Sequence, residues 1–101
     1  MRTILITGAS GGLAQEMVKL LSQDQLILLG RNKEKLAQLY GNHPHAELME
    51  IDITDDSALE TLVADLHLRY GKIDVLINNA GYGIFDHMDI FKNASSIFLE
   101  L

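Results

Sequence analysis

Four clusters in the chain carry residue types that could do chemistry together. The first is Thr7-Gly8-Ala9-Ser10-Gly11-Gly12-Leu13-Ala14. It follows a short apolar run and precedes a segment of helical spacing, which is where a dinucleotide-binding turn must lie. A diphosphate is anionic, and a helix N-terminus offers it free N–H groups at the positive end of the helix dipole. Glycines let the backbone bend sharply and let the phosphates come close. Gly8, Ser10, Gly11, Gly12 and Leu13 are therefore candidate cofactor-binding positions, and a side chain at Gly8 or Gly12 is expected to interfere. An ordinary glycine-rich turn between strand and helix has a similar composition, and the spacing departs from the common G-x-G-x-x-G.

The second cluster is Gly30-Arg31-Asn32, at the end of the second apolar run. An acid at this point would bind the ribose diol of NAD, whereas an arginine accommodates the 2′-phosphate of NADP. The run ends without an acid and Arg31 stands just beyond it. Charge and bidentate geometry then favour NADP, with NAD as the alternative. The bland reading is a solvated arginine in the first turn of a helix. The third cluster is Asp52-Ile53, where a carboxylate at a strand end could accept a hydrogen bond from an adenine amino group. Asp52 would equally serve to stabilise a following helix through its dipole. The fourth is Asn78-Asn79-Ala80-Gly81. Its amides can tie strand ends together and present donors, while Ala80 and Gly81 leave room for a flat ring or ribose; asparagine-rich turns are also common without any ligand.

The elements that must position these clusters alternate strictly. Apolar runs at Thr3 to Ile6, Gln25 to Leu29, Ala46 to Ile51 and Asp74 to Ile77 predict strands, short and buried on both faces. Between them, Ala14, Met17, Val18 and Leu21 predict one helix, and Leu36, Leu39 and Tyr40 a second that Gly41 ends. Leu59, Leu62, Val63, Leu66 and Tyr70 predict a third, with Thr54 as its N-cap and Gly71 as its left-handed end. A β-α-β-α-β-α-β order argues for a parallel sheet covered by helices on both faces.

Bulk composition narrows the possibilities. The chain has 101 residues, 48% of them hydrophobic, and a formal net charge of −6. That is one small domain with enough apolar content for a core. The acidic balance disfavours nucleic acid and anionic membrane surfaces as partners. There are no cysteines, which removes disulfides and thiolate metal sites and fits a cytoplasmic protein. The four histidines have no recognised ligand spacing, so no metal site is expected. No signal peptide and no membrane-spanning run are legible.

Taken together, Thr7-Gly8 with Gly12-Leu13-Ala14, then Asp52-Ile53-Thr54, then Asn78-Asn79-Ala80-Gly81 resemble the short-chain dehydrogenase/reductase family in type, order and spacing. The family motifs are T-G-x-x-x-G-x-G and N-N-A-G. The resemblance implies a Rossmann-type doubly wound parallel sheet with strand order 3-2-1-4, an NAD(P) cofactor at the C-terminal strand ends, and hydride transfer between carbonyls and alcohols. It covers residues 2 to about 85, read as the NAD(P)-binding part. Ala14 replaces the family's last glycine, with the smallest side chain available.

The family's catalytic serine and Tyr-x-x-x-Lys have no counterpart. Four residues beyond Tyr40, Tyr70 and Tyr82 stand Pro44, Asp74 and Asp86, so no catalytic residue is assigned and the chain alone is expected to be inactive. A non-catalytic dinucleotide-binding module is the alternative; a flavodoxin-like protein is disfavoured by the ordered motifs. For residues 86–101, Phe91, Ala94, Ser95 and Phe98 have helical spacing and the apolar pattern runs to Leu101 without a stop signal. The expectation is a partial helix in a chain interrupted before the catalytic region. The fourth strand would then be an exposed apolar edge, and self-association through it is expected.

Overall fold

The computed structural model describes residues 1–79 and the backbone of residues 95–98. The described elements are β1 (Thr3–Thr7), α1 (Gly12–Leu20), β2 (Gln25–Gly30), α2 (Lys33–Tyr40), β3 (Ala46–Glu50), α3 (Asp56–Tyr70), β4 (Val75–Asn78) and β5 (Ser95–Phe98). The strands form one sheet in the order β3-β2-β1-β4-β5. Every neighbouring pair is parallel. The 3-2-1-4 order that the resemblance implies is present, with β5 added beside β4.

Period-two alternation along the strands divides the core into two layers. Leu5, Ile27, Leu29 and Leu76 pack with Leu59, Leu62, Val63 and Leu66 of α3. Their chain neighbours Ile4, Ile6, Leu26, Leu28 and Ile77 pack with Ala14 and Val18 of α1 and with Leu36 and Tyr40 of α2. The first two helices thus cover one face and the third covers the other. Strands sandwiched this way need apolar residues at every position, which is why β1 and β2 read as unbroken runs. Each fully buried aliphatic side chain contributes roughly 1.5–3 kcal/mol relative to exposure.

Helix ends follow local chemistry, with one correction. α3 is capped by the Asp55 carboxylate, which accepts from the Ala58 amide at 3.1 Å. Thr54 is not the cap: its amide and its hydroxyl both donate to Asp52 Oδ1, at 3.0 and 2.6 Å. Asp55 stands one residue nearer the helix, so it reaches the first-turn amides. α2 is capped by Asn32, whose side chain accepts from the Lys35 amide at 3.1 Å. Gly71 ends α3 with φ at +71°. Gly41 ends α2 in ordinary right-handed geometry, but a Cβ there would stand 2.5 Å from the Ala37 carbonyl oxygen.

Two expectations about the C-terminal part are overturned. Residues 95–98 form a strand, not part of a helix. Four residues of mixed apolar and small type fit either period, and the parallel ladder with β4 decides between them. β4 is consequently not the sheet edge. The expected self-association through it loses its basis, because its backbone groups are already paired with β1 and β5. Residues 80–94 and 99–101 lie outside the described residues.

The far edge of the sheet, β3, is held to α3 by a charged clamp. Arg69 places Nη1 and Nη2 at 2.7 and 2.6 Å from the two carboxylate oxygens of Glu47. The Tyr70 hydroxyl donates to the same carboxylate at 2.5 Å. The Arg69 hydrogen bonds hold Glu47 below the usual carboxylate range, while desolvation and the Glu47 charge push Tyr70 up to about 12. A lowered folded-state value means that Glu47 stabilises the fold fully above its unfolded value, near ~4.3, and loses that contribution as pH falls through the folded value. Tyr70 acts in the opposite window: its contribution is complete below ~10 and fades as pH rises toward about 12. Denaturant titrations across pH should therefore show Glu47→Gln flattening the acid limb below pH ~5. An acid limb identical to wild type would assign acid sensitivity to other carboxylates.

Candidate functional site

The glycine loop connects β1 to α1 at the C-terminal end of the sheet. It turns at Gly8, whose φ is +61°, a conformation that costs an L-residue roughly 1–2 kcal/mol. The Gly11 amide closes the turn on the Gly8 carbonyl at 3.2 Å, and the Ala9 amide ties the loop to the Leu29 carbonyl of β2 at 2.9 Å. From the end of β4, Asn79 Nδ2 donates to the Gly8 carbonyl at 3.0 Å. One residue earlier, the Thr7 hydroxyl donates to Asn78 Oδ1 at 2.8 Å across the buried β1–β4 pairing. The two asparagines do tie strand ends together. Asn78 Nδ2 and Asn79 Oδ1 are buried and have no hydrogen-bond partner among the described residues.

The start of α1 differs from the other two helix starts. Gly11 is its N-cap, no side chain caps it, and its first turn holds no acid. α2 and α3 each have a side-chain cap and an acid in the first turn. The positive end of α1 is thus left open. Gly12 opens this helix in exposed space, and a Cβ added there would meet nothing within 4 Å. The expected interference at Gly12 is absent from the protein itself; it would arise only against a ligand. Gly11 is closer-packed, with a Cβ position 3.4 Å from Asn79 Nδ2. Leu13 lies exposed on the first turn of α1.

Beside the loop is a cavity of about 180 Å³. The loop contributes Gly8 and Ser10, the end of β2 contributes Leu29 to Asn32, and the end of β3 contributes Ile51, Asp52 and Ile53. It is smaller than the ~300–1,000 Å³ of a site for a whole drug-sized ligand, so it suits one part of an extended molecule. The sequence-nominated Gly8, Ser10, Arg31, Asp52 and Ile53 thus meet in one place. Gly11, Gly12, Leu13 and Asn79 adjoin it through the loop. Ala80 and Gly81 lie outside the described residues.

Electrostatics in the cavity are shared between one cation and one anion. Arg31 Nη2 stands 3.3 Å from Asp52 Oδ2, and the Arg31 side chain is 71% exposed. Asp52 is held below the usual carboxylate range, first by the Thr54 hydroxyl and amide and then by Arg31. Asp52 therefore stays ionised near neutral pH. Glu50, the nearby acid, accepts from the Lys33 amide at the start of α2 at 3.0 Å.

Sequence reasoning passed over several contributors. Asn32 lines the cavity while capping α2, and its cap spacing could have shown it. Gly30 is needed for packing: a Cβ there would press on Leu36 at 3.1–3.2 Å. By spacing Tyr40 is only an apolar stripe residue of α2, yet its hydroxyl reaches the loop and donates to the Ala9 carbonyl at 2.5 Å. No local pattern could have revealed a contact between residues 31 positions apart.

A parallel sheet covered on both faces, with a glycine loop at the C-terminal end of its first strand, defines a doubly wound α/β protein of the Rossmann type. The model of the short chain dehydrogenase family matches residues 2–97. The chain belongs to that family. It is 32% identical over 100 residues to the uncharacterized oxidoreductase DltE of Bacillus subtilis, covering 97% of this chain and 39% of that protein. The citronellol catabolism dehydrogenase of Pseudomonas aeruginosa superposes with a TM-score of 0.71 at 30% identity, over 77% of this chain and 35% of that one. The 3-ketoacyl-(acyl-carrier-protein) reductase of Brucella melitensis, solved in complex with NADH, superposes with a TM-score of 0.69 at 28% identity, over 79% of this chain and 34% of that one. The chain thus spans between about a third and two-fifths of the length of these proteins.

Proposed function

We propose that this chain forms the coenzyme-binding part of an NAD(P)-dependent oxidoreductase acting on carbonyl/alcohol pairs. The observation that carries the reading is the open N-terminus of α1 behind the glycine loop, the one helix start of the three described that lacks both a cap and an acid. A dinucleotide fits this arrangement: its diphosphate would lie against the first turn of α1 and the glycine loop. One nucleoside would occupy the cavity between the ends of β2 and β3. The bound nicotinamide coenzyme would supply or accept the hydride. The chain's own part is to bind and orient: Gly8 and Gly12 leave room, the Ser10 region borders the phosphates, and Asp52 offers an ionised acceptor to an adenine amino group. The family membership and the NADH complex of the Brucella melitensis reductase support this class of coenzyme.

NADP is the preferred coenzyme in this reading. β2 ends without an acid, and among the described residues the exposed Arg31 side chain contacts only Asp52, which leaves guanidinium donors over. The acid–base pair for proton transfer would come from residues other than these 101, which hold no Tyr-x-x-x-Lys. Among the described residues no helix is long and apolar enough to cross a membrane; a cytoplasmic location is the expectation that the absence of cysteine supports.

Calorimetric titration with NADPH and NADH tests the proposal. Saturable binding of at least one coenzyme, and no hydride transfer by the chain alone, is the expected result. Binding of neither by a folded sample would sink it. Binding without turnover even when the chain is joined to a catalytic region would instead favour a non-catalytic module.

A further inference from the structure

We propose that Tyr40 is a positioning residue for the phosphate-binding loop, aiming the Ser10 amide at the diphosphate; this rests on the reading of the loop as a diphosphate site. Three consecutive carbonyls of the loop each accept a side-chain hydrogen bond from a different element. Asn79, after β4, holds Gly8 O at 3.0 Å. Tyr40, the last residue of α2, holds Ala9 O at 2.5 Å. Gln15 of α1 holds Ser10 O at 3.2 Å.

A trans peptide is a rigid plane in which the carbonyl of one residue and the N–H of the next point in opposite directions. Among the described residues no peptide bond is cis. Fixing the Ala9 carbonyl therefore fixes the Ser10 amide. The Tyr40 hydroxyl draws that carbonyl toward the covered face of the sheet, where Tyr40 is only 7% exposed and Ala9 is fully buried. The Ser10 N–H is thereby turned the other way, toward the side where Ser10 lines the cavity. Its two neighbours are already committed: the Ala9 amide to Leu29 O and the Gly11 amide to Gly8 O. The Ser10 amide has no acceptor among the described residues. It is a loop donor left for an anion, beside the open first turn of α1.

Tyrosine suits this task better than another donor. Its ring fills the core between α2 and the sheet, and its hydroxyl extends past that core to the loop. Burial pushes its phenol above the ordinary range, so it remains a donor throughout the neutral range. Removing the hydroxyl alone leaves the Ala9 carbonyl buried without its side-chain donor. The peptide plane is then free to rotate, and the Ser10 amide loses its aim.

The test uses Tyr40→Phe, which keeps the ring and deletes the donor. Its affinity for whichever pyridine coenzyme binds the wild type is expected to fall about three- to tenfold, the scale of one hydrogen bond. Affinity for adenosine 2′-monophosphate, which has no diphosphate, is expected to stay at the wild-type value. A merely structural role would lower both together, and that outcome overturns the proposal, as does an unchanged coenzyme affinity. A second measurement needs no variant. Inorganic pyrophosphate added to the isotopically labelled wild type should shift the Ser10 amide resonance, and a still Ser10 amide beside shifting α1 amides overturns the inference alone. If neither coenzyme nor pyrophosphate binds the wild type, the coenzyme reading falls and this inference falls with it.

Discussion

Gly12→Asp is expected to abolish dinucleotide binding while leaving the fold intact. Positive φ is confined, among the described residues, to Gly8 and Gly71, so Gly12 needs no glycine for its backbone. It needs none for packing either, because a Cβ there meets nothing within 4 Å. An aspartate in the first turn of α1 would even favour the helix, by about 0.3–1 kcal/mol through its dipole. The same carboxylate would stand against a diphosphate at the open helix end. Like charges about 5 Å apart near a protein surface repel by roughly 3 kcal/mol, which is about a hundredfold or more in affinity. Thermal melting and coenzyme titration on the same sample read the two effects separately. A variant that melts as the wild type but no longer binds is the expected pair of results. Retained binding would move the diphosphate away from α1, and a collapsed melting curve would make Gly12 a structural glycine after all.

Arg31→Glu should invert the coenzyme preference. The Arg31 side chain is largely exposed, and its ion pair with Asp52 is held at 3.3 Å. A surface pair of this kind contributes about 0–1 kcal/mol, so its loss should barely affect stability. A charge-assisted hydrogen bond to a 2′-phosphate contributes more, about 1.5–3 kcal/mol. Reversing the charge removes that contact and adds repulsion. NADPH affinity is expected to drop by about a hundredfold or more, whereas NADH, with only a ribose diol at this point, should bind as well or better. Parallel titrations give the ratio directly. A ratio of the two affinities that does not move would place discrimination in another part of the site.

Gly12→Asp and Tyr40→Phe both probe the proposed diphosphate position, and Arg31→Glu probes the proposed 2′ position. That separation makes the three results mutually informative. Loss of binding in Gly12→Asp locates the phosphates. A changed ratio in Arg31→Glu locates the 2′ position. Neither outcome depends on the chemistry of reduction.

Much of the site was legible before any coordinates, for a physical reason. Gly8 bends the chain at positive φ and a helix follows at once, so the loop writes itself into residue type at short spacing. The alternation of buried runs with amphipathic stripes likewise dictated a covered parallel sheet, since a strand buried on both faces is mostly apolar. Other features had no local signature. Thr54 and Asp55 are both plausible caps by composition, and only the position of Asp52 decided that Thr54 serves the carboxylate instead. The short run at residues 95–98 suits a helix or a strand, and the open ladder of β4 settled it as a strand.

Tyr40, Gln15 and Asn79 come together on the loop from three different elements. Residue order by itself determined the class of fold, the glycine turn after the first strand and the charged groups near it. Tertiary structure alone decided which side chains hold that turn's carbonyls. A hydrogen bond between elements depends on where two helices and a sheet pack, and packing is a property of the whole core, not of any neighbouring residues in the chain.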